Sequence, residues 1–303
     1  MTGVVKQLPI EEEYRKRTGV TPEDIGKLRR WLDTQPHLPG DRITDLELIL
    51  VYHSCDRSAE VAKQVLDLHF TLRTLFTSFF KDRFVSDKIL RPIGYYVFGA
   101  LETRAHDGSA IIYCRLLDND PKKFVLSEAL RSGLMMIDLW QYEKGTWPGF
   151  IIVIDLEDVT LSHIARLDVQ TVQQFLYYLQ EAMLVKINGV NFLNAPSFMD
   201  KLMMLIRPFL KKSLLDVISI HQVGSRTIEK FLPIEALPKE AGGQYKSFVE
   251  IKDDLVEKIR NNSDFFVEES KKRVVESKRP GKPKTMSDIF GGVEGSFKKL
   301  EID

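Results

Sequence analysis

From Ile25 to Phe79 the apolar residues recur every three to four positions, and the runs open on residues that cap helices. Thr21, Pro22 and Asp24 read as a capped start with proline at the first helical position, leading into a helix whose Leu28, Trp31 and Leu32 share a face. Thr44 and Glu47 predict a second capping box before "LELILVYHS". Ser58 is the expected cap of a long helix with an apolar stripe at Val61, Val65, Leu68, Leu72, Leu75, Phe76 and Phe79. This part of the chain is expected to be a bundle of three or four helices.

The pattern then changes. "SAIIYCRLL" ends at the turn-forming "DNDP" and predicts a strand, and "KFVLSEALRSGLMMIDLWQYE" predicts a helix. "GFIIVIDLEDV" is an unbroken apolar run bounded by Gly149 and acids, as expected of a strand in a covered sheet. A helix in "DVQTVQQFLYYLQEAML", strands in "KINGVNFLNAP" and "LLDVISIHQV", and a short helix from Ser225 follow. Strands alternating with helices predict an α/β fold with a mostly parallel sheet. Beyond Gly243 one or two amphipathic helices are expected. "ESKRPGKPKTMSD" then reads as an exposed tail or linker, and Ile289, Phe290, Val293, Phe297 and Leu300 are apolar enough to dock the end back on the body.

The most apolar helix lies in "NAPSFMDKLMMLIRPFLKKSLLD". Phe198, Leu202, Leu205, Ile206 and Leu210 form one stripe, which Met199, Met203 and Met204 widen almost to the whole circumference. The segment is too short to cross a bilayer, and Asp200, Lys201 and Arg207 interrupt it. By periodicity it is a helix buried between two neighbours. Its methionines re-pack easily, which suits a core and also a surface that moves over a lipid.

Composition narrows the partners. The 303 residues suffice for one large domain or two modest ones, and 43 basic residues balance 43 acidic ones. No global field draws the chain to nucleic acid or to an anionic membrane. Cys55 and Cys114 make neither a disulfide framework nor a zinc site, so a reducing compartment is expected. The first twenty residues lack a secretory pattern, and the expected location is cytoplasmic.

Catalytic signatures are missing: the sequence has no G-x-S-x-G, G-x-G-x-x-G, phosphate-binding loop or H-E-x-x-H. Asp155, Ser162 and His163 assemble a triad only on paper, because adjacent Ser and His point apart; His163 is expected to be a satisfied histidine at a strand-to-helix junction. His37, His53, His69, His106 and His221 show no metal spacing. Asp155, Glu157 and Asp158 are expected to cap the turn after their strand, and the basic run from Lys271 to Lys284 to be solvated. Neither enzyme activity nor a cofactor or metal is expected.

Several segments, in order, resemble the CRAL-TRIO family of lipid-binding proteins, near the branch of the alpha-tocopherol transfer and retinaldehyde-binding proteins. "DGSAIIYCRLLDNDPKKF" resembles the family's first strand, and "IIVIDLEDVTLSHI" its next strand and D-L-E turn. "VKINGVNFLNAPSFMDKLMMLIRPFL" is similar to the strand, N-x-P junction and following helix, and "FLPIEALPKEAGG" to the closing motif, with Ala241 in place of the usual tyrosine. "GVEGSFKKLEID" is similar to the ends of many insect members.

The resemblance implies an N-terminal helical domain (1–85), a lipid-binding domain (86–245) whose sheet floors an apolar cavity under a lid helix, and a C-terminal helical or extended tail (246–303). It assigns Phe150, Ile152 and Ile154 to the sheet side of the cavity. Phe175, Tyr178, Leu179 and Met183 fall on the covering helix, Ile187 and Val190 on the next strand, and Phe198, Leu202, Leu205, Ile206 and Leu210 on the lid. Tyr178, Ser132 or Asn194 would meet the ligand's polar end. Lys186, Arg207, Lys211 and Lys212 are candidate headgroup or membrane contacts, although Asn188, Ser213 and Val217 stand where tocopherol-transfer members carry further basic residues. The implied function is cytosolic binding and intermembrane transfer of one hydrophobic, isoprenoid-type lipid by a monomer that touches membranes transiently. The alternatives are a phospholipid or phosphoinositide exchanger and a non-transporting interaction module.

Overall fold

The structure, a computed structural model, describes residues 3–297, with side chains described through residue 291. Six helices come first: α1 (Ile10–Arg15), α2 (Pro22–Asp33), α3 (Asp45–Ser54), α4 (Ala59–Leu75), α5 (Thr77–Phe80) and α6 (Asp87–Ile93). Both predicted capping boxes form, each Thr accepting from the N3 backbone while the N3 carboxylate accepts from the Thr backbone. Ser58 precedes α4 but makes no side-chain cap bond.

The buried face of α4 also differs from the predicted stripe. Val61 is exposed, whereas Ala62, Leu66 and Phe70 pack into the bundle, and His69, Leu72 and Arg73 are buried on other sides of the helix. Polar residues, His69, Thr71 and Arg73, occupy interior positions because each finds partners there, and an apolar stripe cannot report such a face.

Five strands form one sheet in the order β1 (Tyr96–Ala100), β2 (Ala110–Leu116), β3 (Phe150–Asp155), β4 (Ile187–Ala195) and β5 (Ile218–Gln222). β1 is antiparallel to β2 and the other pairs are parallel. The crossovers are α7 (Leu126–Lys144) between β2 and β3, α8 (Leu161–Ile164) and α9 (Val169–Glu181) between β3 and β4, and α10 (Met199–Ile206) and α11 (Lys212–Leu215) between β4 and β5. α12 (Phe248–Asn261), α13 (Ser263–Ser270) and α14 (Met286–Phe297) follow. β1 was not predicted; it is short and carries Gly99, where a Cβ would come within 2.8 Å of Ile251 on α12.

Alternate strand residues enter two cores, which accounts for the unbroken apolar run of β3. Ile112, Phe150, Val190 and Phe192 face α7 and α9, while Ile111, Tyr113, Ile151 and Val153 face Leu232, Leu237, Phe248 and Ile251.

The basic C-terminal segment is not a solvated tail. Lys272 pairs with Glu47 at 2.8 Å, and Arg273 Nη2 donates to the Phe80 carbonyl at 2.7 Å. Arg279, its side chain 5% exposed, pairs with Asp67 at 2.7 Å and Glu276 at 2.6 Å and donates to Thr71 Oγ1. The amide of Val275 donates to the His37 carbonyl. These residues form a strap across the first helices, and Ile289 and Phe290 pack on the core beyond it. Of the other predicted docking residues, the side chains of Val293 and Phe297 and all of Leu300 lie outside the described residues.

A buried ion cluster joins the three parts of the chain. Arg73 contacts Asp138 of α7 at 2.6 Å and Glu269 of α13 at 2.8 Å, and Arg83 contacts the same acids at 2.7 and 3.3 Å. Burial opposes the charged forms, but the guanidinium groups win and hold the Asp138 and Glu269 carboxyls low, Glu269 at about 2. His69 lies beside them, donating from Nδ1 to the Ala182 carbonyl at 2.8 Å and facing Arg73 with Nε2 at 3.5 Å. Burial, and then Arg73, push its pKa down to about 3.

His69 therefore stays neutral in the folded state while the unfolded chain takes up a proton near pH 6.5. Its contribution is complete above that pH and is lost as pH falls towards about 3. Urea unfolding between pH 7 and 4.5 should show stability falling by up to about 1.4 kcal/mol per pH unit from this group. His69→Gln should flatten that limb. An unchanged slope in the variant would remove His69 as its source. Below about pH 4 the two carboxylates, whose folded pKa values are depressed, add further loss in both proteins.

Candidate functional site

At the carboxyl ends of the strands, between the sheet and helices α7 to α10, lies a cavity of about 260 Å³ with an overwhelmingly apolar lining. In parallel α/β folds this end of the sheet is where crossovers splay and ligands bind. Phe98, Cys114, Ile154 and Phe192 reach it from four strands. Leu126, Ala129 and Leu130, on one face of α7 at i, i+3 and i+4, form a wall, and Phe175, Leu176, Leu202 and Ile206 border it from α9 and α10.

Of the residues predicted to touch a ligand, Ile154, Phe175, Leu202 and Ile206 line this cavity. Phe150, Leu179, Met183 and Val190 are buried in the same core but are not part of the lining, and Ile152, Ile187 and Leu210 pack around that core. Phe198 and Leu205 are half-buried outside the lining. The reason is axial. Strand alternation identifies the inward face, but Phe150 lies at the start of β3 under Trp140, with ring centroids 5.4 Å apart, whereas the cavity opens at the strand's end.

The three residues suggested for the ligand's polar end are engaged elsewhere. Tyr178 faces the N-terminal helices, its ring 5.1 Å from Phe80 and its hydroxyl 3.4 Å from Arg73, and burial pushes its pKa up to about 12. Ser132 donates to the Glu128 carbonyl at 2.8 Å. Asn194 donates to Asp155 at 2.9 Å from a left-handed backbone at φ 50°.

Polar groups on the wall are mostly satisfied. Arg115 contacts Asp155 at 3.3 Å, Glu157 at 2.7 Å and Asp158 at 2.9 Å, and Tyr113 donates to Asp155 at 2.6 Å. Asp155 also caps the turn by accepting from the Glu157 amide, so these acids combine the expected turn role with an unpredicted ion-pair role around Arg115. His163 is different. Its Nδ1 accepts from the Thr160 amide at 3.1 Å, but its Nε2 is buried and has no hydrogen-bond partner, contrary to the satisfied histidine expected. No group of three His, Cys, Asp or Glu side chains among the described residues is arranged to hold a metal ion.

Three of the four basic candidates already have acidic partners: Lys186 with Asp56, Lys211 with Glu181 at 2.5 Å, and Lys212 with Asp216 at 2.6 Å. Arg207 makes no ion pair with a described residue, and it shares the outer surface of α10 with Met204, which is 73% exposed. None of the described helices is long and apolar enough to cross a membrane.

Burial raises the Cys114 thiol to about 12, with Asp155 adding to the effect. Iodoacetamide at pH 8.5 should therefore label Cys114 at least tenfold more slowly than a free thiol, with full labelling in denaturant. Mass spectrometry of the labelled peptides decides this, and rapid native labelling would show that the wall is open to water.

The CRAL/TRIO domain model matches residues 95–243, and the model described as Pinta-like, UBA domain matches residues 19–89. Clavesin-1 of Rattus norvegicus is 25% identical over 233 residues, which cover 76% of this chain and 66% of that protein. The chain thus spans just under two thirds of that relative's length. Clavesin-1 of Xenopus laevis is 25% identical with 70% of its length covered, and clavesin-2 of Homo sapiens 23% identical with 71% covered. The solved structure of Sfh5 overlays with a TM-score of 0.40 and 12% identity, covering 85% of this chain and 83% of that one, too loosely to support an argument.

Proposed function

Because the chain belongs to the CRAL-TRIO family, whose proteins bind and transfer lipids, we propose that it carries one hydrophobic, isoprenoid-type ligand between membranes. The observation that carries this reading is the apolar cavity bordered by α10 at the ends of the parallel strands. Its volume of about 260 Å³ is at the small end for a ligand site, which favours a single slender chain over a diacyl phospholipid. In this reading Ile154, Phe175, Leu202 and Ile206 touch the ligand, and the other predicted residues support them from the core behind.

The energetics suit a carrier. Burying ~500 Å² of apolar ligand surface is worth ~12 kcal/mol before association and ordering costs, so tight binding needs no charged anchor. Release then requires the cavity to open. α10 is suited to move: Met199 is its only fully buried residue, and the rest of the helix is half-buried or exposed. Its outer face presents Met204, and Arg207, which follows the helix directly, makes no ion pair with a described residue, a combination that fits transient contact with an anionic membrane surface. Lys186, Lys211 and Lys212 contribute only if their exposed ion pairs exchange for lipid phosphate, which costs little. The working form is a cytoplasmic monomer, peripherally membrane-associated during exchange.

The test is to fill the cavity. Organic extraction and mass spectrometry of the purified protein should recover a stoichiometric isoprenoid. Ala129→Phe should lower its occupancy at least tenfold; because Ala129 lines the cavity but also packs with Tyr96 and Leu116, a thermal melt showing a folded variant accompanies the reading. Full occupancy in a folded variant would place the ligand elsewhere, and phospholipid alone in the extract would favour an exchanger.

A further inference from the structure

His163 closes one side of the cavity and is 1% exposed. Its tautomer is set by the chain: a backbone amide, that of Thr160, points its hydrogen at Nδ1 from 3.1 Å, so Nδ1 is the acceptor and the proton sits on Nε2. Burial keeps the ring neutral by lowering its pKa. The Nε2–H is thus a donor taken out of water with nothing to receive it. Only four side-chain atoms among the described residues share that condition, and the other three lie on His37 and Arg83, neither of which lines this cavity.

An orphaned buried donor costs stability unless a partner arrives. The other polar side chains on the wall are occupied, Arg115 and Asp155 by each other and their neighbours, Tyr96 by the Val125 backbone. Water does not reach Nε2. Beside the imidazole stands Phe124, another lining residue, its ring at 75° with centroids 5.6 Å apart.

We infer that His163 Nε2–H is the hydrogen-bond donor that reads the ligand's polar end, and that the ligand carries an accepting oxygen, a hydroxyl or carbonyl at the terminus of its apolar chain. The ligand's oxygen takes the place beside Phe124, whose ring gives way to it. This assignment rests on the cavity being the ligand site. It adds selectivity to that site: a hydrocarbon of the same shape gains the burial but leaves the donor unmet, whereas an oxygenated one satisfies it. The signal was present in the sequence as a histidine two residues into a short helix, but the missing partner was not.

The experiment compares farnesol with farnesene, an alcohol and a hydrocarbon of similar skeleton, against the wild-type chain, His163→Phe and His163→Gln, by tryptophan-fluorescence titration. The quantity read is the farnesol-to-farnesene affinity ratio. His163→Phe should lower it roughly tenfold. His163→Gln should restore part of it, because glutamine at this helix position accepts from Thr160 and keeps an N–H to donate. In wild-type protein, nitrogen-15 NMR should show the Nε2 proton shifting downfield with farnesol and not with farnesene, a readout that does not depend on the variants folding. If neither probe binds the wild-type protein, the ligand-site reading falls and this assignment with it. If both bind, with the ratio unchanged in His163→Phe or the Nε2 proton unmoved, the site stands and the assignment is overturned, Phe124's ring being the donor's partner.

Discussion

Arg73 and Arg83 carry two guanidinium groups into the interior, and their charge dictates what can pack around them. Each needs a carboxylate, and the carboxylates come from parts of the chain far apart in sequence: Asp138 in the middle of α7 and Glu269 near the end of α13. Such a cluster adds little net stability when complete, but removing one member leaves a buried charge unmatched at a cost of about 3–5 kcal/mol. It therefore acts as a registration point that brings the first helices, α7 and α13 together, with Nε and Nη2 of Arg83 left without a hydrogen-bond partner.

That registration explains a division within the sheet's covered face. Next to the cluster, α9 turns Tyr178 towards Phe80 and His69, and the packing is polar, directional and closed. At the ends of the strands the same helix contributes Phe175 and Leu176 to a surface held by apolar contact alone. Apolar contact is non-directional, so the faces of α9 and α10 that meet the cavity can shift, while Gln180 of α9 holds the segment after α10 through the Phe209 carbonyl and the Lys211 amide. The fixed half of the molecule keeps the adaptable half in place. Arg115 and its three acids play a similar role at the rim, confining charge to one wall where every group is matched.

The architecture was largely legible in the sequence. The Thr21 and Thr44 capping boxes, four of the strands and the alternation of strand and helix follow from local chemistry that the structure keeps. What escaped depended on tertiary partners. The buried face of α4 runs through His69 and Arg73, residues whose burial makes sense only with Asp138 and Glu269 beside them. The strap around Arg279 has the composition of a solvated linker and is ordered by Asp67, His37 and Glu47. The candidate ligand residues were assigned to the inward face by the family resemblance, with periodicity in support, but their position along the strand decides whether they meet empty space or another side chain. No spacing rule reports that position.

The strap also bears on how the protein is made. Arg279 reaches back 212 residues to Asp67, and Val275 receives its backbone partner from His37. On a ribosome the first helices emerge long before these partners exist. At roughly 5–20 residues per second, Asp67 waits about ten to forty seconds for its cation. During that interval Asp67 has Thr71 Oγ1 as a partner within α4 but no cation from the strap. Completion comes only once Arg279 has been made, so a transcript truncated before it would encode the whole sheet and cavity and still lack the residue that finishes the opening bundle.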